Sequence, residues 1–196
     1  MKTFLDVPEV PIAKAQAVIV PVPFEASTSY GHGTTKGPQA IIDASHEVEW
    51  YDSAYGIEVP EEVSIATTKP IQGGFRAIEK ASGAFLHTFP IFLGGEHSIT
   101  PALVSPWYKK YPDLSILQID AHSDLRDSYL GNKNSHACAM RRVQELGVKK
   151  IVGVGIRNTA KEEQQYIVKE NIFWGDEFDI KKVMSRLSDN VYITFD

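Results

Sequence analysis

The chain has 196 residues, 43% of them hydrophobic, which is enough for one well-buried core and shows no feature demanding a second domain. Its formal net charge of -5 argues against a nucleic-acid or anionic-membrane surface, because either needs a clustered excess of Lys and Arg, and it suits a cationic small molecule better. The single cysteine, Cys138, excludes an internal disulfide; no apolar run approaches the roughly 20 residues that span a bilayer, and the start MKTFLDVPEV has no leader pattern, so one cytoplasmic domain over residues 1–196 is the expectation.

Short apolar runs rich in Val and Ile recur along the chain. They fall at 17–24 (AVIVPVPF), 63–67 (VSIAT), 90–95 (PIFLGG), 114–120 (LSILQID), 150–156 (KIVGVGI), 171–175 (NIFWG) and 190–196 (NVYITFD). Runs of this length, apolar on both faces, predict buried strands. Between them, apolar residues three and four apart predict helices over 73–88, 135–147, 160–170 and 176–189, and Pro38 predicts the first turn of a helix through 39–45. Strands alternating with helices at this rhythm imply an α/β fold: a mostly parallel sheet covered by helices on both faces, a three-layer sandwich.

Two glycine-rich segments call for separate readings. SYGHGTTKGPQA does not have the order of a phosphate loop, since Lys36 is followed by Gly37 and Pro38; it reads as a structural loop. GVGIRN has only Gly153 and Gly155 and no third glycine opening a helix, so it is not a dinucleotide fingerprint.

Ligands of open parallel sheets bind beyond the carboxyl ends of the strands. There the apolar runs give way to Glu96 and His97, to Asp120, His122 and Asp124, and to Asp196. On an extended backbone, side chains two apart point the same way, so Asp120, His122 and Asp124 would converge. Two carboxylates brought together repel unless cations neutralise them. Carboxylate and imidazole without thiolate favour Mn, Fe, Co, Zn or Mg. Two such ions about 3.5–4 Å apart lower the pKa of a bridging water towards neutrality, which makes metal-assisted hydrolysis the reaction class. Histidine is the side-chain type best suited to relaying protons, so His136, in the loop NSHACAM, suits a proton shuttle, or else is a helix-capping or surface residue. Cys138 reads as a small core residue, and His46 and His87 as structural.

FLGGEHSIT, QIDAHSDLRDSY and YITFD resemble, in order, the signature segments of the ureohydrolases, the family of arginase and agmatinase. VPFEASTSYGHGTTKGPQAII and SHACAMRR resemble bacterial or archaeal agmatinases most. The resemblance implies that His97, Asp120, His122, Asp124 and Asp196 hold two manganese ions, that Asp124 also assists catalysis, and that His136 relays a proton. It implies hydrolysis of a guanidino compound, agmatine to putrescine and urea as in polyamine biosynthesis, by a homo-oligomer, trimer or hexamer, with no nucleic-acid or membrane partner. Arginine, guanidinobutyrate or formiminoglutamate are the alternative substrates, and an inactive metal-binding fragment is the alternative of another kind. Arg126 is a candidate contact for the substrate tail, or an exposed salt-bridging residue.

The resemblance also implies a strand order 2-1-3-8-7-4-5-6 and a final D-x-D motif followed later by a Glu for the guanidinium. Seven strands are readable, and the last motif stops at its first Asp, Asp196. The expectation is therefore a C-terminally incomplete domain without its interior eighth strand.

Overall fold

The Val- and Ile-rich run after Gln16 forms strand β1 (Ala17–Val22), all six residues of which are buried in the computed structural model, which describes residues 2–196. The chain divides into two compact units, Met1–Glu25 with Ser29–Glu96, and Ala26–Thr28 with His97–Asp196.

In the first unit β1 is followed by helix α1 (Gly37–Ala44), with Pro38 in its first turn as anticipated, where the missing N–H costs no hydrogen bond. A hairpin of two-residue strands, β2 (Tyr51–Asp52) and β3 (Ile57–Glu58), leads into the short helix α2 (Val59–Glu62) and strand β4 (Ile65–Thr67). Helix α3 (Phe75–Gly83) and strand β5 (Phe89–Gly94) complete the unit. The sheet order is β4-β1-β5, all parallel. The β1–β4 ladder ends at Ile19 opposite Thr67, so Pro21 falls where β1 is paired with β5 alone, a position that tolerates a residue without a donor. Ala17, Ile19, Ile65 and Val7 pack together as the core beneath this sheet.

The glycine-rich segment is closed by protein, in keeping with a structural loop. The Glu25 carboxylate accepts hydrogen bonds from the Gly33 N–H at 2.7 Å and the Thr34 hydroxyl at 2.8 Å, and lies 3.0 Å from His32 Nδ1. Those bonds, the Thr34 one foremost, hold the Glu25 carboxyl down at about 2.

The second unit starts with a turn at His97–Ile99 that runs into helix α4 (Thr100–Lys110). Strand β6 (Ser115–Ile119), helix α5 (Ala139–Glu145), strands β7 (Lys150–Ile156) and β8 (Ile172–Trp174), helix α6 (Ile180–Arg186) and strand β9 (Val191–Phe195) follow. The order is β8-β7-β6-β9, again all parallel. Alternation along the strands sends side chains to both faces. Ile116 and Ile151 pack on one face with Val104 of α4 and Ala139, Met140 and Val143 of α5, while Leu117, Val152 and Val154 pack on the other with Val183 of α6. Fully burying a Val, Ile or Met side chain of this set stabilises the fold by about 1.5–3 kcal/mol.

Numbering only the seven strands read from the sequence, the two sheets have the orders 2-1-3 and 7-4-5-6, the two parts of the expected order on either side of position eight. An α/β fold with parallel sheets interleaved with helices is thus present. One predicted element is corrected. Residues 160–170 form two short 3-10 turns, Lys161–Gln165 and Lys169–Asn171, instead of a helix. The Tyr166 carbonyl, which a continuing helix would use internally, accepts from the Gln144 side chain at 3.0 Å. Helix α4 and the β2–β3 hairpin were not anticipated by the periodicity; α4 carries Pro106 in its interior, and its apolar spacing is correspondingly weak.

Candidate metal centre

The site is built beyond the carboxyl ends of β6 and β9. These neighbours pair in register with Ile119 opposite Phe195, so the next residues, Asp120 and Asp196, emerge side by side. The Asp196 N–H donates to the Ile119 carbonyl at 2.9 Å and the Asp120 N–H to that of Val154 at 3.0 Å, which fixes both backbones to the sheet. One step earlier the register pairs Gln118 with Thr194, and each orients a site residue. Gln118 Nε2 donates to Asp120 Oδ2 at 3.0 Å, and Thr194 Oγ1 lies 3.2 Å from His97 Nε2. With Nε2 turned to Thr194, the other ring nitrogen of His97 faces the carboxylates.

That nitrogen, Nδ1, is 2.7 Å from Asp124 Oδ2 and 3.6 Å from an oxygen of each of Asp120 and Asp196. Donor atoms of His97, Asp120, Asp124 and Asp196 all lie within 4.8 Å of one another. The first three residues are buried, Asp196 exposed. Burial alone would push the His97 imidazole down, but the hydrogen bond and charge of Asp124, with the charges of Asp196 and Asp120, outweigh it and hold the ring above its ordinary value. Desolvation, reinforced by the Asp124 charge, pushes the Asp120 carboxyl up.

Asp124 does not reach this cluster by extended alternation. The His122 N–H donates to Asp120 Oδ1 at 2.8 Å, a local side-chain turn that ends the strand conformation. Asp124 then adopts φ +48°, the left-handed region that side chains other than glycine enter at a cost of about 1–3 kcal/mol. The turn leaves the His122 side chain 61% exposed and outside the four-residue cluster, with Nδ1 3.6 Å from Asp120 Oδ1. Of the five residues expected to gather, four do.

His136 sits in the turn His136–Cys138, which packs against the turn His97–Ile99. Its Nδ1 is 3.3 Å from both Ser27 Oγ and Ser135 Oγ, and its ring stands edge-on to Tyr129, with centroids 5.8 Å apart. The segment is tied to the Asp124 loop, because the Arg126 N–H donates to the Ala137 carbonyl at 3.2 Å and the Arg141 N–H to that of Asp124 at 3.2 Å. Arg126 itself forms an ion pair with Glu162 and lies over the Tyr129 ring at 5.3 Å. Cys138 is fully buried, as a core residue.

Chemically, three carboxyl groups converge on one imidazole, an acidic donor set that a bound cation would neutralise. Oxygen and imidazole donors at this spacing suit hard or borderline divalent cations. Gln118 and Thr194 were missed from the sequence. The only signal was a polar residue inside an otherwise apolar run, two positions before each terminal Asp.

Comparison with known proteins places this arrangement. The sequence profile described as the arginase family matches residues 15–196. The N(1)-aminopropylagmatine ureohydrolase of Synechocystis sp. is 35% identical, over 84% of this chain and 59% of its own length. The agmatinase of Pyrococcus horikoshii is 31% identical, over 98% and 71%. The crystal structure of the agmatine ureohydrolase of Thermoplasma volcanium superposes with a TM-score of 0.81 at 31% identity, over 95% of this chain and 68% of that one. The chain thus spans less than two thirds of the Synechocystis relative. On the profile match, these identities and the shared fold, the chain belongs to the arginase family.

Proposed function

We propose that residues 1–196 act as one ureohydrolase domain whose centre hydrolyses agmatine and water to putrescine and urea. The observation that carries this reading is the convergence of His97, Asp120, Asp124 and Asp196 within 4.8 Å, beyond adjacent parallel strands. Manganese is the proposed metal, which these four residues would hold, with His122 turning in as a fifth ligand, since its Nδ1 already stands 3.6 Å from Asp120. When bound, a pair of such ions supplies a nucleophilic water at neutral pH, which a guanidinium carbon requires because its charge is spread over three nitrogens.

The chain's own residues do the rest. The three carboxylates would offset most of the charge that a pair of divalent ions brings, which lessens the repulsion of a cationic substrate. Gln118 and Thr194 lock Asp120 and His97, and burial limits the motion of Asp124. Asp124 steadies the reacting centre, and His136, beside the hydroxyls of Ser27 and Ser135, delivers a proton to the leaving amine. Arg126 would reach the substrate tail only by leaving Glu162. The active form is proposed to be a cytoplasmic homo-oligomer, trimer or hexamer; among the described residues no helix is long and apolar enough to cross a membrane.

A second substrate has specific support, since the Synechocystis relative bears the name of an aminopropylagmatine ureohydrolase. Urea release, measured with manganese across agmatine, N(1)-aminopropylagmatine, arginine, guanidinobutyrate and formiminoglutamate, tests the proposal. Agmatine should be the best substrate. No urea or formamide from any of them would overturn it.

A further inference from the structure

The turn that replaces the expected helix at 160–170 brings a buried carboxylate to the back of the metal loop. Glu163 is 4% exposed. Its Oε1 accepts from the Ser123 hydroxyl at 2.9 Å and from the Leu125 N–H at 2.7 Å. Its Oε2 accepts from the Ala160 N–H, the backward reach of a third helical residue that closes a turn. Ser123 and Leu125 are the two neighbours of Asp124, the residue in the left-handed conformation. The adjacent Glu162 pairs with Arg126, so one turn grips Ser123, Leu125 and Arg126 together.

A buried carboxylate persists only where hydrogen bonds replace its hydration, and charge-assisted bonds of this kind are short and directional. A carboxylate that merely closed its own turn would spend its acceptors there. Oxygen Oε1 instead serves the residues on either side of Asp124, and no hydrogen bond joins Glu163 to the proposed donors themselves.

We infer that Glu163 is a positioning residue for the metal centre: by holding both neighbours of Asp124, it fixes that ligand's left-handed backbone and keeps its carboxylate against His97. This rests on the reading of Asp124 as a metal ligand in the proposed function.

The test compares Glu163→Ala and Glu163→Gln with the parent 196-residue chain. Manganese affinity is read by competition with a chelator, and amide hydrogen exchange is read by NMR without metal. Glu163→Ala should weaken manganese binding by about 10–100-fold, as loss of a ligand's supporting partner does. In the metal-free chain the Leu125 amide should exchange at least about tenfold faster while the Ile116 and Gln118 amides keep their rates, because local opening does not require the strand to unfold. Glu163→Gln retains an oxygen for Ser123 and Leu125 but sets an NH2 against the Ala160 N–H, so it should recover part of the loss. Should Glu163→Ala fail to fold, Ser123→Ala removes one of the same bonds and should show a smaller loss of the same kind.

Manganese affinity within about twofold of the parent would overturn the inference, as would equal acceleration of Leu125 and the β6 amides, which marks a purely structural tie. A parent chain that binds manganese but releases no urea would sink the proposed activity and leave the role of Glu163 standing. A parent chain that binds none would remove both.

Discussion

Asp124 is held from several directions at once. Its carboxylate meets His97, its carbonyl accepts from the Arg141 N–H, and the following Leu125 is anchored in the core with Ile116, Met140 and Val143. Asp124→Asn keeps the shape but removes a charge that a cation requires, so bound manganese should fall by more than about tenfold and urea production with it. His136→Ala should behave differently, lowering turnover by about 100-fold while metal content stays near that of the parent, since a proton relay is not a ligand. Metal analysis and urea assay on the same two variants check both; equal metal content in Asp124→Asn, or unchanged turnover in His136→Ala, would contradict the assignments. At this scale the alternation of Asp120, His122 and Asp124 pointed to the right loop for an incomplete reason. The clustering of Asp120 with Asp124 comes from a turn and a positive φ, and neither leaves a mark in residue spacing.

Among the elements, all seven strands read from the sequence are present within a few residues, because each is a short apolar run; burial holds for β1 and most of β7, whereas β5 and β9 leave Phe89, Ile91, Ile193 and Phe195 exposed, contrary to the expectation of buried strands. Helices were less legible. The apolar spacing at 160–170 is helical, but Glu163 turns inward to serve Ser123 and Leu125, and tertiary hydrogen bonds override the local pattern. Gly95, directly after β5, shows a constraint that was legible only as a motif. A Cβ on Gly95 would lie 2.0 Å from the Phe24 carbonyl oxygen, while the Gly95 N–H donates to Val22 and the Glu96 N–H to Phe24. The clash is with backbone, so the chain cannot relieve it by a rotamer change. Gly95→Ala should cost about 1–3 kcal/mol in denaturant unfolding, and an unchanged midpoint would show the contact to be looser than described.

For the molecule as a whole, the order of signatures along the chain carried more than composition did. Charge and length argued against nucleic acid and membrane but left the reaction open, whereas three strand-end motifs pointed to the family and implied the sheet orders 2-1-3 and 7-4-5-6 that the two units display. The polar residues one step behind the site, Gln118 and Thr194, became visible only once the β6–β9 register set them side by side. The most direct test of the metal centre is anomalous diffraction at the manganese edge from crystals of the chain grown with Mn2+. The account predicts a peak within about 2–2.5 Å of His97 Nδ1 and of the Asp120 and Asp124 oxygens, the range of cation–nitrogen and cation–oxygen bonds. Manganese density elsewhere, with these side chains still hydrogen-bonded only to one another, would contradict it.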